Sequence, residues 1–244
     1  MFRHQGKTRT LRHNKKIASL LSFVAGTVNI IGFLSVQRLT TNVTGHFAFF
    51  IDDVFKLQFA RSLVYFFYIA SFFLGSFAVS LSIEALSRRN ERFVYSIPTL
   101  TESFILSVVA LTGPALIALN PDLVACMLLF AMGLQNALVT RLSGAMVRTT
   151  HLTGLFTDLG IELAQLWFHP QTGQQTKLVA TIRLRIRIIA YFFAGGIVGG
   201  IGYSYGSIHA LLIPAILLLA GLVYDNAKVR LAIWKRRQNR MRNA

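Results

Sequence analysis

The chain has 244 residues, of which 54% are hydrophobic and only 14% are charged. Because soluble domains carry about 25% charged residues, this composition leaves too little polar surface for a soluble globule. The 25 Lys and Arg residues outnumber the 9 Asp and Glu residues, which gives a net charge of +16. That charge alone would suit a nucleic-acid-binding protein. Combined with the apolar content, it predicts an all-α integral membrane protein that contacts the lipid bilayer and binds no nucleic acid.

Six segments are apolar over roughly the 20 residues that a membrane-spanning helix needs. The predicted spans are 17–36, 63–86, 95–118, 122–140, 188–205 and 208–224. The segment 150–168 has a different pattern, because leucines recur at helical spacing opposite Asp158 and Glu162. This amphipathic pattern predicts a helix that lies at the membrane interface or re-enters the membrane, rather than a seventh span.

The basic residues fall almost entirely on one side of these six spans. Of the 25 Lys and Arg residues, 22 lie before the first span, between the second and third spans, between the fourth and fifth spans, or after the sixth. The other side receives Arg38, Lys56 and Arg61. The positive-inside rule therefore places both termini in the cytoplasm, with a basic arm over 1–16 and a basic tail over 225–244.

The sequence contains an internal repeat: the first three predicted spans, over 17–118, resemble the last three, over 122–224. Four matches occur in the same sequence order: Phe23-Val-Ala-Gly26-Thr-Val-Asn29 with Phe130-Ala-Met-Gly133-Leu-Gln-Asn136, Thr44-Gly45 with Thr153-Gly154, Ile69-Ala-Ser-Phe-Phe-Leu-Gly75 with Ile189-Ala-Tyr-Phe-Phe-Ala-Gly195, and Ile97-Pro98 with Ile213-Pro214. Because three spans is an odd number, the second copy would enter the membrane from the opposite side. This predicts a 3+3 inverted-topology repeat, a plan that many secondary transporters use.

Nearly the whole chain also resembles a known family, most specifically in its second half. The resemblance rests on Gly133-Leu-Gln-Asn136-Ala-Leu, on the segment from Val147 to Gly154, on Asp158-Leu-Gly and on the earlier Val43-Thr-Gly45. These residues resemble the YoaK-like family of uncharacterised bacterial inner-membrane proteins. The resemblance implies a multi-pass protein of the inner (plasma) membrane and names no substrate. Members more often carry Asp where this chain has Asn29, which implies that one intramembrane charge is missing here.

The polar residues inside the two copies are candidates for solute binding. We expect interrupted helices of the two copies to meet near the bilayer midplane, where such transporters bind solutes. The candidate substrate-binding residues are Asn29, Thr44, Gly45, Asn136, Thr153 and Gly154. The alternative for the asparagines is hydrogen bonding between packed helices, and the alternative for the Thr-Gly pairs is an ordinary helix cap.

Four ionisable residues are candidates for proton or ion coupling. His151, Asp158 and Glu162 share one helical face, and Glu102 lies inside the third span without an obvious partner. The alternative for the first three is a solvated polar face of an interfacial helix. We expect no metal site and no cofactor.

These features predict a small secondary transporter or permease for an unknown small solute or ion. The alternatives are a non-catalytic membrane scaffold or partner subunit, with a homo-oligomer formed through the glycine-rich span at 195–202, or an intramembrane enzyme. We expect no enzyme, because the sequence contains no HExxH pattern, no phosphate-binding loop and no nucleophile beside a base.

Overall fold

A computed structural model describes residues 11–87, 94, 96–143, 147, 149–168 and 175–242. Within these ranges the chain is helical and contains no β-strand, so the all-α prediction is confirmed. The elements in order are α1 (Leu11–Val36), α2 (Val43–Phe55), α3 (Phe59–Ser87), α4 (Ser96–Leu119), α5 (Pro121–Ser143), α6 (Leu152–Phe168), α7 (Gln175–Gly206), a 3₁₀ helix (Ser207–Leu211) and α8 (Leu212–Arg242).

Five stretches of the described chain are long and apolar enough to cross a membrane. They are Lys15–Val36, Phe59–Leu86, Ser96–Leu119, Pro121–Ser143 and Gln175–Ala227. The last has 53 residues and includes both the fifth and the sixth predicted spans. Within it α7 ends at Gly206, and Ser207 has a positive φ of 47° where the 3₁₀ helix begins. The long apolar helices indicate a membrane protein, and the number of spans stays a prediction.

Large apolar side chains cover the outside of the helical bundle. On α3, Phe66, Phe67, Phe73 and Phe77 are all more than half exposed, at 51 to 63%. Contiguous apolar surface of this kind is unfavourable in water and suits contact with lipid. The face of α3 that carries these rings is therefore suited to contact with lipid.

Hydrogen bonds between helices establish the relative directions of α1, α3, α5 and α7. Thr27 of α1 donates to the Gly195 carbonyl of α7 at 3.0 Å, and farther along both helices Tyr203 donates to the Leu34 carbonyl at 3.0 Å. These two contacts make α1 and α7 parallel.

The second pair of long helices is also parallel. Ser76 of α3 donates to the Gly133 carbonyl of α5 at 2.9 Å, and farther along Arg141 bonds Glu84 at 2.7 Å.

The two parallel pairs run in opposite directions. Gln135 of α5 donates to the Leu21 carbonyl of α1 at 2.8 Å, whereas the more N-terminal Leu128 lies beside Gly32 of α1. Because the residue numbers rise on one helix as they fall on the other, α1 and α5 are antiparallel. We call the end of the bundle that contains Val36 and Pro121 the upper end, and the end that contains Lys15 and Ser143 the lower end.

Backbone meets backbone where the helices of each parallel pair cross. A Cβ added to Gly195 would lie 2.0 Å from the Phe23 carbonyl oxygen, and a Cβ added to Gly133 would lie 2.1 Å from the Phe72 carbonyl oxygen. No side chain fits at these distances, so only glycine permits the two crossings. Gly199 packs against Thr27 in the same way, so the glycine-rich face of α7 is used for packing against α1 within the chain.

Two shorter helices flank the bundle at opposite ends. Helix α2 packs against α3 at the upper end, where His46 contacts Tyr65 and Tyr68. Helix α6 packs against the first half of α7 at the lower end. The helix predicted over 150–168 is therefore present as α6, whereas α2 has no counterpart among the predicted helices. The predicted basic tail over 225–244 continues α8 as far as Arg242, and residues 1–10 of the predicted arm lie outside the described residues.

Candidate functional site

Each Thr-Gly pair lies in the first turn of a flanking helix. In α2 the Gly45 amide donates to the Asn42 side chain, the N-cap, at 3.0 Å. In α6 the Gly154 amide donates to Nδ1 of His151 at 3.2 Å. Both bonds satisfy amides that a helix start would otherwise leave unpaired. The helix-cap alternative therefore describes both patches, with Asn42 and His151 rather than threonine as the capping residues.

The two Thr-Gly patches do not come together. Helix α2 follows the upper end of α1, and α6 follows the lower end of α5. Because α1 and α5 are antiparallel, Thr44-Gly45 and Thr153-Gly154 lie at opposite ends of the bundle. The predicted midplane site between these two patches is therefore wrong.

The two equivalent asparagines also have separate surroundings. Asn29 accepts a hydrogen bond from Thr41 at 2.7 Å. Asn136 has a buried side-chain oxygen with no hydrogen-bond partner in the described part of the chain. Gln135 lies level with Leu21, which places Asn136 nine residues from Asn29 along the antiparallel helices. At a rise of about 1.5 Å per residue, the two asparagines are about 13–14 Å apart along the helix axes. They do not bond each other.

Three of the four predicted coupling residues are held in local contacts at the lower end. Arg185 of α7 binds Asp158 at 2.8 Å and both oxygens of Glu162 at 2.9 and 3.1 Å. His151 is exposed and caps α6. Arg185 is not among the site residues predicted from the sequence; the sequence signal for it is the pair of acids one helical turn apart on α6, which a cation can bridge.

Glu102 is the coupling candidate without a partner. It lies in the N-terminal half of α4, has no exposed surface, and neither carboxylate oxygen has a hydrogen-bond partner within the described residues. The neighbouring Ser103 donates to the Ala215 carbonyl at 2.9 Å, which ties this turn of α4 to α8. A buried intramembrane carboxylate that does not stabilise the fold through a partner is a functional candidate.

A polar cavity opens at the upper end. Its volume is about 410 Å³, and it lies between the α1–α2 connection, α2, α3 and the start of α5. Charged and aromatic side chains form most of its wall: Arg38, Asp53, Arg61, Val64, Tyr65 and Asp122. None of these residues is among the candidate substrate-binding residues predicted from the sequence.

Two residues that line this cavity, Arg38 and Asp122, belong to a hydrogen-bonded network with Tyr68. Tyr68 donates to Asp122 through a short hydrogen bond, and Arg38 Nε lies 3.2 Å from the Tyr68 hydroxyl and 3.6 Å from the Asp122 carboxylate. The three groups join the end of α1 to α3 and to the start of α5. The network therefore links the two predicted copies at the upper end.

His46 packs against Tyr68 of this network. Its ring is buried, its Nε2 lies 2.6 Å from the Leu39 carbonyl, and its centroid lies 4.9 Å from that of Tyr68. Burial lowers the pKa of His46, the bond to Leu39 partly offsets this, and the charge of Arg38 lowers it further. His46 is therefore neutral at physiological pH and donates to Leu39 through Nε2.

The chain belongs to the DUF1275 family of proteins of unknown function, whose family model matches residues 17–224. The match includes all six predicted spans and agrees with the family resemblance seen in the sequence. No curated protein and no solved structure matches the chain. Family membership therefore supports a membrane protein without assigning an activity.

Proposed function

We propose that the protein is a small secondary transporter, built from two inverted three-helix repeats over 17–118 and 122–224, with both termini in the cytoplasm. The observation that carries this proposal is a twofold relation between the two glycine crossings. The α1–α7 crossing packs Gly195 on the Phe23 carbonyl, and the α3–α5 crossing packs Gly75 on the Phe130 carbonyl. The sequence repeat pairs the same residues, Gly195 with Gly75 and Phe23 with Phe130.

The same relation holds in the reverse direction. Gly26 packs on the Phe192 carbonyl, and its equivalent Gly133 packs on the Phe72 carbonyl. A Cβ added to Gly26 would lie 2.0 Å from the Phe192 oxygen, and one added to Gly133 would lie 2.1 Å from the Phe72 oxygen. Each crossing joins one helix of the first copy to one of the second. Two structurally equivalent crossings between antiparallel pairs are the geometry that inverted repeats produce.

Ion pairs join the two copies at both ends of this arrangement. Arg38 pairs with Asp122 at 3.6 Å at the upper end, and Arg141 pairs with Glu84 at 2.7 Å at the lower end. On α5, Asp122 and Arg141 are about 28 Å apart at about 1.5 Å per residue. This separation is close to the roughly 30 Å thickness of a bilayer core. If the two copies rock against each other, the ion pair at one end can break while the pair at the other end stays formed. The bundle would then open to one side of the membrane at a time.

Protonation of Glu102 gives the transporter a coupling site. Asp158 and Glu162 are both bonded to Arg185, so each already has a protein cation beside it. Glu102 is buried and has no such partner among the described residues. A group that binds a proton inside the bundle and releases it when one end opens would couple solute movement to the proton gradient.

The experiment is proton-driven uptake into proteoliposomes that contain the purified protein. A panel of labelled solutes is tested with and without an imposed pH gradient. We expect at least one solute to accumulate with the wild-type protein. Glu102→Gln should lose gradient-driven accumulation and keep solute exchange, whereas Asp52→Asn should keep both, because Asp52 is exposed and paired with Lys56 at 2.6 Å.

Two results would refute separate parts of the proposal. Absence of flux for every solute, with folded protein shown by circular dichroism, would overturn transport. Full gradient-driven accumulation by Glu102→Gln would leave transport in place and overturn Glu102 as the proton site.

A further inference from the structure

The upper-end cavity presents two opposite charges that are not neutralised by ion pairs. Arg38 and Asp122 lie within ion-pair distance of each other. Among the described residues, the Arg61 side chain hydrogen-bonds only the neutral side chain of Gln58, at 3.0 Å. The Asp53 carboxylate has no hydrogen bond or ion pair there and interacts only at longer range with Lys56, which is paired with Asp52. A cation-binding group and an anion-binding group therefore line one small cavity.

The lower end shows what occupies the equivalent position in the second copy. The repeat makes Asp53 equivalent to Glu162, since Thr44-Gly45 matches Thr153-Gly154. It makes Tyr65 equivalent to Arg185, since Gly75 matches Gly195. At the lower end the Arg185 guanidinium binds Glu162 at 2.9 Å.

At the upper end an aromatic pair replaces that cation. Tyr65 stacks on Phe49 with ring centroids 5.3 Å apart, so no protein cation reaches Asp53 from this position. In the first copy, the position equivalent to that of the Arg185 guanidinium therefore lies beside the Asp53 carboxylate and the Tyr65 ring. A ligand ammonium suits this place, because a carboxylate attracts it and an aromatic face adds a cation–π contact.

Arg61 supplies the matching anion-binding group. Its guanidinium can bind a carboxylate through two parallel hydrogen bonds. The cavity of about 410 Å³ is near the small end of the range of roughly 300–1,000 Å³ for ligand sites. We infer that the upper-end cavity binds a small zwitterion of amino-acid size, with its ammonium group at Asp53 and Tyr65 and its carboxylate at Arg61. This inference names the substrate class of the proposed transporter and rests on that proposal for its role in transport.

Binding is tested on the full-length protein in detergent, independently of flux. Thermal stabilisation and equilibrium binding are measured for each standard amino acid, and the best binder is then compared with its decarboxylated amine and its deaminated acid. We expect the zwitterion to bind at least about tenfold more tightly than either single-charge analogue, because each analogue lacks one charged hydrogen-bonding group.

Variants then locate the site. Asp53→Asn and Arg61→Gln should each weaken zwitterion binding by about tenfold or more. Asp53→Asn should remove the preference over the deaminated acid, and Arg61→Gln the preference over the amine. Asp52→Asn is the matched control, because Asp52 is the adjacent residue and is already paired with Lys56. It should leave binding unchanged.

The outcomes separate this inference from the transport proposal. Zwitterion binding that depends on Asp53 and Arg61, without any flux in proteoliposomes, would support the site and overturn transport. Flux of another solute without zwitterion binding would overturn the site and support transport. Zwitterion binding that both variants leave unchanged would overturn the location of the site.

Discussion

Gly195→Ala tests the helix crossing on which the arrangement of the two copies depends. An added Cβ would lie 2.0 Å from the Phe23 carbonyl oxygen, whereas ordinary contacts begin at 3.4 Å. Helices α1 and α7 would have to separate by about 1.4 Å at this point. Because the opposing atom belongs to the backbone, no side-chain rotation relieves the contact. Overpacking of this kind typically costs about 1–3 kcal/mol, and we expect a loss of stability in this range.

The adjacent glycine provides a matched control. A Cβ added to Gly196 meets only the Gly26 carbonyl oxygen, at 3.9 Å, which is an ordinary contact. Gly196→Ala should therefore be neutral or stabilise the helix by up to about 1 kcal/mol. The free energy of unfolding is measured for both variants by titration with sodium dodecyl sulfate in mixed micelles. Equal stability of Gly195→Ala and Gly196→Ala would refute the close crossing.

The remaining predictions concern charged and titratable groups at the two ends. Arg185→Gln should reduce the free energy of unfolding by about 1–2 kcal/mol in the same titration, because Glu162, whose side chain is only 13% exposed, loses its cation. Arg187→Gln, which alters an exposed arginine two residues away, should have a smaller effect. The lowered pKa of His46 means that the folded protein resists its protonation, so stability should be complete above the ordinary pKa of about 6.5 and fall as the pH drops below it. His46→Gln keeps a donor for the Leu39 carbonyl and should flatten this part of the stability profile measured by thermal melting; an unchanged profile would contradict the assignment.

Hydropathy predicts most of the long helices but not all of the short ones. The apolar segments 17–36, 63–86 and 122–140 lie within long helices of the structure, and so do residues 96–118 of the third predicted span. Helix α2 has only 13 residues, too few to cross a bilayer, so a search for spans passes over it. Its equivalence to α6 through the Thr-Gly matches is the sequence signal that could have found it.

The candidate site was harder to predict because its members come from separate parts of the chain. Tyr68 meets Asp122 across 54 positions, and Arg38 meets Tyr68 across 30. No local spacing encodes such contacts, since they depend on which helices are parallel and at which level they cross. Glu102 can be singled out as a candidate from the sequence alone, because a carboxylate inside an apolar segment is costly to bury.

Three basic residues fall on the predicted non-cytoplasmic side, where the positive-inside rule disfavours them. Their presence there provides a physical reason for a binding site on that side. Arg38, Lys56 and Arg61 are the three exceptions to the cytoplasmic bias, and all lie at the upper end. Arg38 has Asp122 within 3.6 Å, and Lys56 has Asp52 within 2.6 Å. Arg61 alone of the three has no carboxylate partner among the described residues, and it lines the cavity. A ligand anion would give such a cation a partner, and this is the role that we propose for Arg61 in the zwitterion site.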